Sequence, residues 1–222
     1  MPSWSYSSLK VFQQCPKKYY HLRIAKDVSQ PDTEATIYGK EVHKAAEDYM
    51  RDGTPIPEKF AYMRPILASL EKIQGDRYCE FEMALKQEQD GYVPCDFHDP
   101  GYWWRGIADL LIVNGDVAYM IDYKTSKNAK YADLKQLDAM AACIFRMFPE
   151  VKRIKSALLF VVSGEFVHKE HNCDTDYLKG FRFDLERLET AVATNVWNAV
   201  SGPLCGWCPV KTCVHFREPR RR

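Results

Sequence analysis

Apolar residues recur at helical spacing along the first third of the chain. This spacing predicts helices over residues 7–25, 32–51 and 58–73. Pro16 kinks or breaks the first of them, because a proline inside a helix removes a backbone hydrogen bond. The inward stripe of the second helix includes His43, so we expect this imidazole to face the interior.

Beyond residue 76 the pattern changes to the alternation that is typical of strands. Alternating segments at 78–86, 103–113 and 116–125 predict three strands, and Asn114-Gly115 between the last two favours a two-residue hairpin turn. A helix is predicted over 132–148, a buried strand over 154–162, a pairing segment over 164–169 and a long helix over 175–200. The order predicts an α/β (α+β) fold with a three-strand meander, a crossover helix and a further strand in one mixed sheet flanked by helices.

Length and composition limit the class of protein. The 222 residues, 46% hydrophobic and 27% charged, suit one folded domain and exclude a chain that is disordered throughout. No apolar run approaches the roughly 20 residues that cross a bilayer, and the first residues lack the layout of a secretory signal. We therefore expect a soluble cytoplasmic protein without a membrane partner. The net charge of +1 gives no overall basic field, so a nucleic-acid surface has to be local.

Eight cysteines in a reducing compartment indicate thiolate chemistry or metal ligation rather than disulfides. Cys205, Cys208 and Cys213 lie within nine residues, a spacing that a packed core does not require. Isolated cysteines are usually small buried side chains, and this is the expectation for Cys79, Cys95, Cys143 and Cys173. His168 and His171 are expected at the surface.

The predicted hairpin brings two acids and a lysine together. With the turn at Asn114-Gly115, Asp109 and Asp122 become diagonal neighbours on one face. Lys124 shares that face and lies opposite Arg105. The surrounding residues are mostly apolar, and buried charges need partners or a metal ion. Taken alone, the spacing favours salt bridges on a solvated face over a catalytic site.

Five segments stand in a characteristic order along the chain. They are Ser7-Ser8-Leu9 through Cys15-Pro16-Lys17-Lys18-Tyr19-Tyr20, Gly39-Lys40-Glu41-Val42-His43, Gly106-Ile107-Ala108-Asp109, Asp122-Tyr123-Lys124, and Gln136. Together they resemble the motifs of the PD-(D/E)XK nuclease superfamily in its RecB-like branch. That branch includes AddB nuclease domains, the iron-sulfur nucleases of CRISPR adaptation and phage exonucleases. The resemblance extends from Ser5 to Phe216 and implies a restriction-endonuclease-like core.

The resemblance implies a divalent-metal site. Asp109 and Asp122 would ligate Mg²⁺ or Mn²⁺, with His43 as a further ligand and the backbone carbonyl of Tyr123 completing the shell. Carboxylates suit Mg²⁺ or Mn²⁺, and one imidazole beside them shifts the preference toward Mn²⁺. Glu82 alternates with its apolar neighbours on the first strand, so it either joins this shell or is a surface acid.

The resemblance also implies an activity. Lys124 would orient the attacking water and stabilise the transition state, while Gln136 would position a phosphate or the lysine. The expected protein is a metal-dependent deoxyribonuclease, an exonuclease that favours single-stranded DNA ends in a bacterial or phage-infected cell. The alternative is a nucleic-acid-binding or assembly subunit with little activity alone. Its partners would be recombination, repair, replication or CRISPR adaptation proteins.

In the iron-sulfur members of the branch, one N-terminal and three C-terminal cysteines hold a 4Fe-4S cluster. Cys15, Cys205, Cys208 and Cys213 resemble that set. A Zn²⁺ site formed by the last three cysteines and His215 is the alternative, and unliganded thiols are a third reading.

One nuclease domain is expected over residues 1–222. Its parts are a helical segment at 1–76, the nuclease core at 77–170, a C-terminal helix with the cysteines at 171–216, and a basic tail at 217–222.

Overall fold

Two compact units make up the chain in a computed structural model that describes residues 2–218. One unit consists of residues 32–178, and the other combines the described residues before 32 and after 178. The helices are α1 (Tyr6–Gln14), α2 (Pro16–Tyr19), α3 (Glu34–Asp52), α4 (Arg64–Glu71), α5 (Lys135–Met147) and α6 (Arg182–Thr194). The strands are β1 (Asp76–Glu88), β2 (Gly91–Pro94), β3 (Tyr102–Asn114), β4 (Val117–Lys124), β5 (Arg153–Phe160) and β6 (Glu165–Asn172). Most of the basic tail predicted over 217–222 lies outside the described residues.

The unit of residues 32–178 is built on a six-stranded sheet in the order β2-β1-β3-β4-β5-β6. β1, β3 and β4 form an antiparallel meander, and α5 then leads to β5, which runs parallel to β4. β6 pairs antiparallel with β5. The mixed sheet flanked by helices confirms the predicted fold class. β2 was not predicted, because a strand of four residues offers almost no alternation to read.

α3 covers one face of this sheet and positions the site. The Thr33 side chain accepts the Thr36 N–H and caps its start, and Gly53 ends it with a φ of +75°. Val42 and Ala46 are fully buried in one apolar cluster with Leu110 of β3 and residues of β4 and β5. Such burial contributes roughly 1.5–3 kcal/mol for each large aliphatic side chain. His43 follows Val42 and therefore lies at the border of this core.

The β3–β4 turn lies one residue later than predicted. Asn114 pairs with Val117, so Gly115-Asp116 forms the turn and every pair shifts by two residues from the predicted register. Gly115 occupies the first central position of this turn, with a φ of +59°. A two-residue hairpin turn requires a left-handed residue there, which glycine adopts without strain. Because side chains alternate with a period of two, the shift leaves Asp109 and Asp122 on the predicted face.

In the second unit, two predicted helices are shorter than expected. The helix predicted over 7–25 breaks at Cys15, whose extended backbone separates α1 from α2, and a π-helical turn follows at Tyr20–Ile24. The helix predicted over 175–200 begins as a 3₁₀ turn and ends at Asn195, which adopts a left-handed φ of +52°. Asparagine tolerates this conformation, which satisfies the carbonyl groups of the last helical turn.

Burial tests the expectation for the isolated cysteines. Of the four isolated cysteines, Cys143 is buried, Cys79 and Cys95 are half-buried and Cys173 is exposed, so the expectation of core positions was wrong for Cys173. Within residues 2–218, no helix is both long enough and apolar enough to cross a membrane.

The conformation of Gly75, just before β1, leads to a stability prediction. A Cβ on Gly75 would lie 2.4 Å from the Val113 carbonyl oxygen, whereas Gly91 has the same φ of +133° and open space around it. Gly91→Ala should cost about 1 kcal/mol of backbone strain, and Gly75→Ala a further ~1–3 kcal/mol for the clash. Urea unfolding of both variants measures the difference. Equal urea midpoints for the two variants would contradict the predicted clash between a Cβ at position 75 and the Val113 carbonyl.

Candidate active site

The site lies where β3 and β4 stop pairing. Their ladder ends at the pair Leu110–Ile121. Asp109 immediately precedes Leu110 on β3, and its carboxylate points toward β4. The Oδ2 atom of Asp109 accepts the Tyr123 N–H at 2.5 Å. A side-chain oxygen therefore replaces the backbone acceptor that a continued ladder would supply. Asp109 is only 8% exposed, so this bond is made in a largely dry environment where charge-assisted hydrogen bonds are strong.

α3 brings an imidazole to the same carboxylate. The Nδ1 atom of His43 lies 3.1 Å from the Oδ1 atom of Asp109. Burial lowers the pKa of His43, but the hydrogen bond and charge of Asp109, with the charges of Asp122 and Glu80, outweigh it and raise the pKa above its ordinary value. His43 therefore faces the interior as predicted, toward a cluster of negative charge.

β1 supplies a third ligand-type side chain, Glu80. β1 and β3 pair on both sides of it, at Cys79–Leu110 and Phe81–Ala108, which places Glu80 level with Asp109. The backbone of Glu80 has a φ of +50°, a conformation that costs a glutamate about 1–3 kcal/mol. Burial, and then the charge of Asp109, raise the pKa of Glu80 to about 7.

His43, Glu80 and Asp109 each offer one ligand atom, and these atoms lie within 4.8 Å of one another. In the described part of the chain this is the one such group of three or more histidine, cysteine or acidic side chains. Two carboxylates and an imidazole fit a divalent cation of the Mg²⁺ or Mn²⁺ kind. Burial and the neighbouring acids raise the pKa of Glu80, and Asp109 raises that of His43. A divalent cation would relieve this concentration of negative charge, so the donor set is suited to hold such an ion.

Sequence reasoning left Glu82 either in the metal shell or at the surface, and did not consider Glu80. Glu82 is exposed and pairs with Ile107, which is also exposed, and it lies outside the group. The prediction for Glu82 rests on regular alternation of side chains along β1. The left-handed backbone of Glu80 interrupts this alternation. The one signal in the sequence was a second acid two residues earlier on the same strand.

Asp122, which is buried, and Lys124, which is half-buried, form a neighbouring ion pair on β4. Burial raises the pKa of Asp122, Lys124 opposes this change, and Asp109 adds to it. The Lys124 ammonium also donates to the Gln136 side-chain oxygen of α5 at 3.3 Å. These three predicted residues therefore come together. Arg105 lies beside Ala84 of β1 and packs on aromatic rings, rather than opposite Lys124 as predicted.

The four predicted cluster cysteines all belong to the second unit and line one cavity there, of about 260 Å³. The Val200 N–H donates to the Cys15 sulfur at 3.5 Å, and the Gly202 N–H donates to the Cys205 sulfur at 3.3 Å. Backbone donors aimed at sulfur suit thiolates that bind a metal centre. His215 lines a neighbouring cavity with Cys205 instead.

Fold and site define a class of protein: a mixed α/β sheet that carries two aspartates and a lysine where its central strands part, as in restriction-endonuclease-like enzymes. The model of the PD-(D/E)XK nuclease superfamily matches residues 3–213, and the chain belongs to this superfamily. Its members are nucleases that use divalent metal ions, which agrees with the ligand group at His43.

Solved structures share this fold. The crystal structure of SSO0001 aligns with a TM-score of 0.51 at 16% identity, covering 97% of this chain and 87% of that one. A "Putative exonuclease" from Eubacterium rectale aligns with a TM-score of 0.50 at 13% identity, covering 99% of this chain and 90% of that one. At these identities the similarity is one of fold. No curated protein matches the sequence.

Glu80 gives a prediction that separates metal binding from stability. Glu80→Gly should raise the unfolding free energy of the metal-free protein by about 1 kcal/mol, because it relieves the left-handed backbone and removes a buried acid. Glu80→Gln should weaken Mn²⁺ binding at least about tenfold in calorimetric titration, because one charged ligand is lost.

Glu82→Gln is the matched control, because it makes the same change two residues away on the exposed side of β1. It should alter neither quantity. Unchanged Mn²⁺ affinity in Glu80→Gln, or a less stable Glu80→Gly protein, would contradict the role of Glu80.

Proposed function

We propose that this protein is a metal-dependent DNA exonuclease of the RecB-like branch that favours single-stranded ends. The observation that carries the proposal is the convergence of the His43, Glu80 and Asp109 ligand atoms, next to the ion pair between buried Asp122 and half-buried Lys124. A structural core has no need for three acids in one place, because each buried carboxylate costs several kcal/mol unless it is paired.

Phosphodiester hydrolysis builds negative charge on the phosphoryl oxygens. A divalent cation at this site would polarise the phosphate and favour ionisation of the attacking water. Asp122 and the Tyr123 carbonyl are the further ligands that we propose beside His43 and Asp109. Lys124 forms an ion pair with Asp122 and donates a hydrogen bond to Gln136, so its ammonium is held where it can stabilise the charge that develops at the phosphate.

We propose that Cys15, Cys205, Cys208 and Cys213 hold a 4Fe-4S cluster in the second unit. A single zinc ion with bonds of about 2.3 Å would bring its sulfurs within about 3.8 Å of one another. Among residues 2–218 the cysteine sulfurs form no group of three within 4.8 Å. Each thiolate of a cluster binds a different iron, so wider spacing around a shared cavity favours the cluster.

A second candidate function is an assembly subunit of a recombination, repair, replication or CRISPR adaptation complex. Exposed apolar side chains around the cysteine segment favour it: Leu204 is 55% exposed, Trp207 67% and Val214 82%. Apolar surface of this kind often marks a protein contact.

Nuclease activity is tested on the purified chain with Mn²⁺ and end-labelled DNA. Linear single strands should be degraded faster than duplexes, and a covalently closed single-stranded circle of the same sequence should stay intact, because an exonuclease needs an end. Asp109→Asn, Asp122→Asn and Lys124→Met should each lower turnover at least about a hundredfold.

Asp116→Asn is the matched control, since it makes the same change at the exposed turn of the same hairpin. It should leave turnover unchanged. Cutting of the circle would refute the exonuclease mode, and wild-type rates in Asp122→Asn would refute the site. DNA binding without any cleavage would favour the assembly subunit.

The metal of the cysteine segment is tested by two single variants. Protein purified without oxygen should be brown and contain iron and acid-labile sulfide. Cys15→Ser should lose the visible absorption, whereas His215→Ala should keep it. The opposite pattern, with zinc retained in Cys15→Ser and lost in His215→Ala, would show the local zinc site instead.

A further inference from the structure

His171 on β6 is completely buried, although the sequence suggested a surface residue. Its Nε2 atom lies 2.9 Å from the Oδ1 atom of Asp138 on α5, and its Nδ1 atom lies 3.3 Å from the Ser156 hydroxyl of β5. The Tyr177 ring packs against the imidazole with 4.7 Å between centroids. A buried histidine with a polar partner on each nitrogen fixes its own orientation and that of its partners.

Asp138, which is half-buried, is the centre of this network. Lys169 of β6 donates to the same Oδ1 atom at 2.5 Å, from the more open side. Burial raises the pKa of Asp138, but the hydrogen bonds from His171 and Lys169 outweigh it, so the pKa lies below its ordinary value and the carboxylate is charged. A charged group with two charge-assisted bonds is a strong attachment between α5 and β6.

The attachment lies two residues from Gln136, in the first turns of α5. The Gln136 side-chain oxygen accepts a hydrogen bond from the Lys124 ammonium. Residues 125–134 separate Lys124 from α5, so the connection along the chain does not by itself fix the distance between the two side chains. Leu134 precedes the helix and has no side-chain acceptor, but the Asp133 carboxylate accepts the Lys135 N–H at 3.2 Å. Beyond this first turn, side chains attach the start of α5 to the sheet on one side through Gln136 and on the other through Asp138.

We infer that Asp138 and His171 are positioning residues, which hold the first turns of α5 against β5 and β6 and thereby keep Gln136 beside Lys124. The inference rests on the proposed nuclease function and extends it beyond the residues that face the phosphate. Neither residue reaches Lys124 itself. Their influence on turnover passes through the Gln136 side chain, because a small displacement of a catalytic contact can cost up to about a hundredfold in rate.

A double-mutant cycle tests this route. Asp138→Ala should lower kcat by about tenfold or more, with KM within about twofold. Gln136→Ala should lower kcat by a similar factor, because it removes the same contact directly. In the Gln136→Ala protein, adding Asp138→Ala should change kcat by less than about twofold, since the contact that it supports is already absent. Independent losses that multiply in the double variant would overturn the inference.

Milder variants keep the test valid if Asp138→Ala does not fold. Asp138→Asn and Lys169→Met should lower kcat in part and speed amide hydrogen exchange at residues 135–138. Glu170→Gln, on the exposed side of β6 between Lys169 and His171, is the matched control and should change neither. Unchanged exchange and kcat in both variants would overturn the inference.

Different results would refute the proposed nuclease function and the positioning role of Asp138 and His171. A wild-type protein without nuclease activity refutes the proposed function and with it any effect on turnover. An active wild type that loses turnover in Gln136→Ala, but not in Asp138→Ala or Asp138→Asn, refutes only the positioning role.

Discussion

The carboxylate of Asp109 takes the place of a backbone acceptor between two strands, and the site depends on this substitution. By accepting the Tyr123 N–H, Asp109 satisfies a donor that would otherwise be buried without a partner, and unpaired donors of this kind cost about 1–3 kcal/mol. The same carboxylate offers its second oxygen to His43. The Asp109 side chain thus stabilises the point where β3 and β4 stop pairing. It also fixes the geometry of the metal-binding group at that point.

The negative charges are divided into two neighbouring sets. Glu80 and Asp109 face the imidazole of His43, while Asp122 is compensated by Lys124 within the same buried region. This division explains why burial can raise the pKa values of Glu80 and Asp122 without unfolding the sheet: each set holds a cationic or protonatable partner. A cation entering the first set would find its ligands already gathered, at the cost of a strained Glu80 backbone.

The surroundings of the site follow the same principle of buried polar groups that fix one another. α5 carries Gln136 toward β4 and Asp138 toward β6, so one helix start links the lysine to the network of Asp138, Lys169 and His171. In the second unit, backbone donors point at the sulfurs of Cys15 and Cys205. In the second unit the backbone is irregular, because extended Cys15 separates α1 from α2. Specific polar contacts hold these segments in one arrangement.

The sequence alone predicted the order of the elements apart from β2 and the shared face of Asp109 and Asp122, and its resemblance to the superfamily supplied the roles proposed for His43, Asp109, Asp122, Lys124 and Gln136. Periodicity is a local property, and an error of two residues in the hairpin register left the faces unchanged. Only the tertiary structure decided that Glu80 rather than Glu82 joins His43, and that His171 is buried beside Asp138. The first depends on a left-handed residue inside β1 and the second on the packing of α5 over β5 and β6. Both arise from contacts between distant segments, which no local pattern of residues encodes.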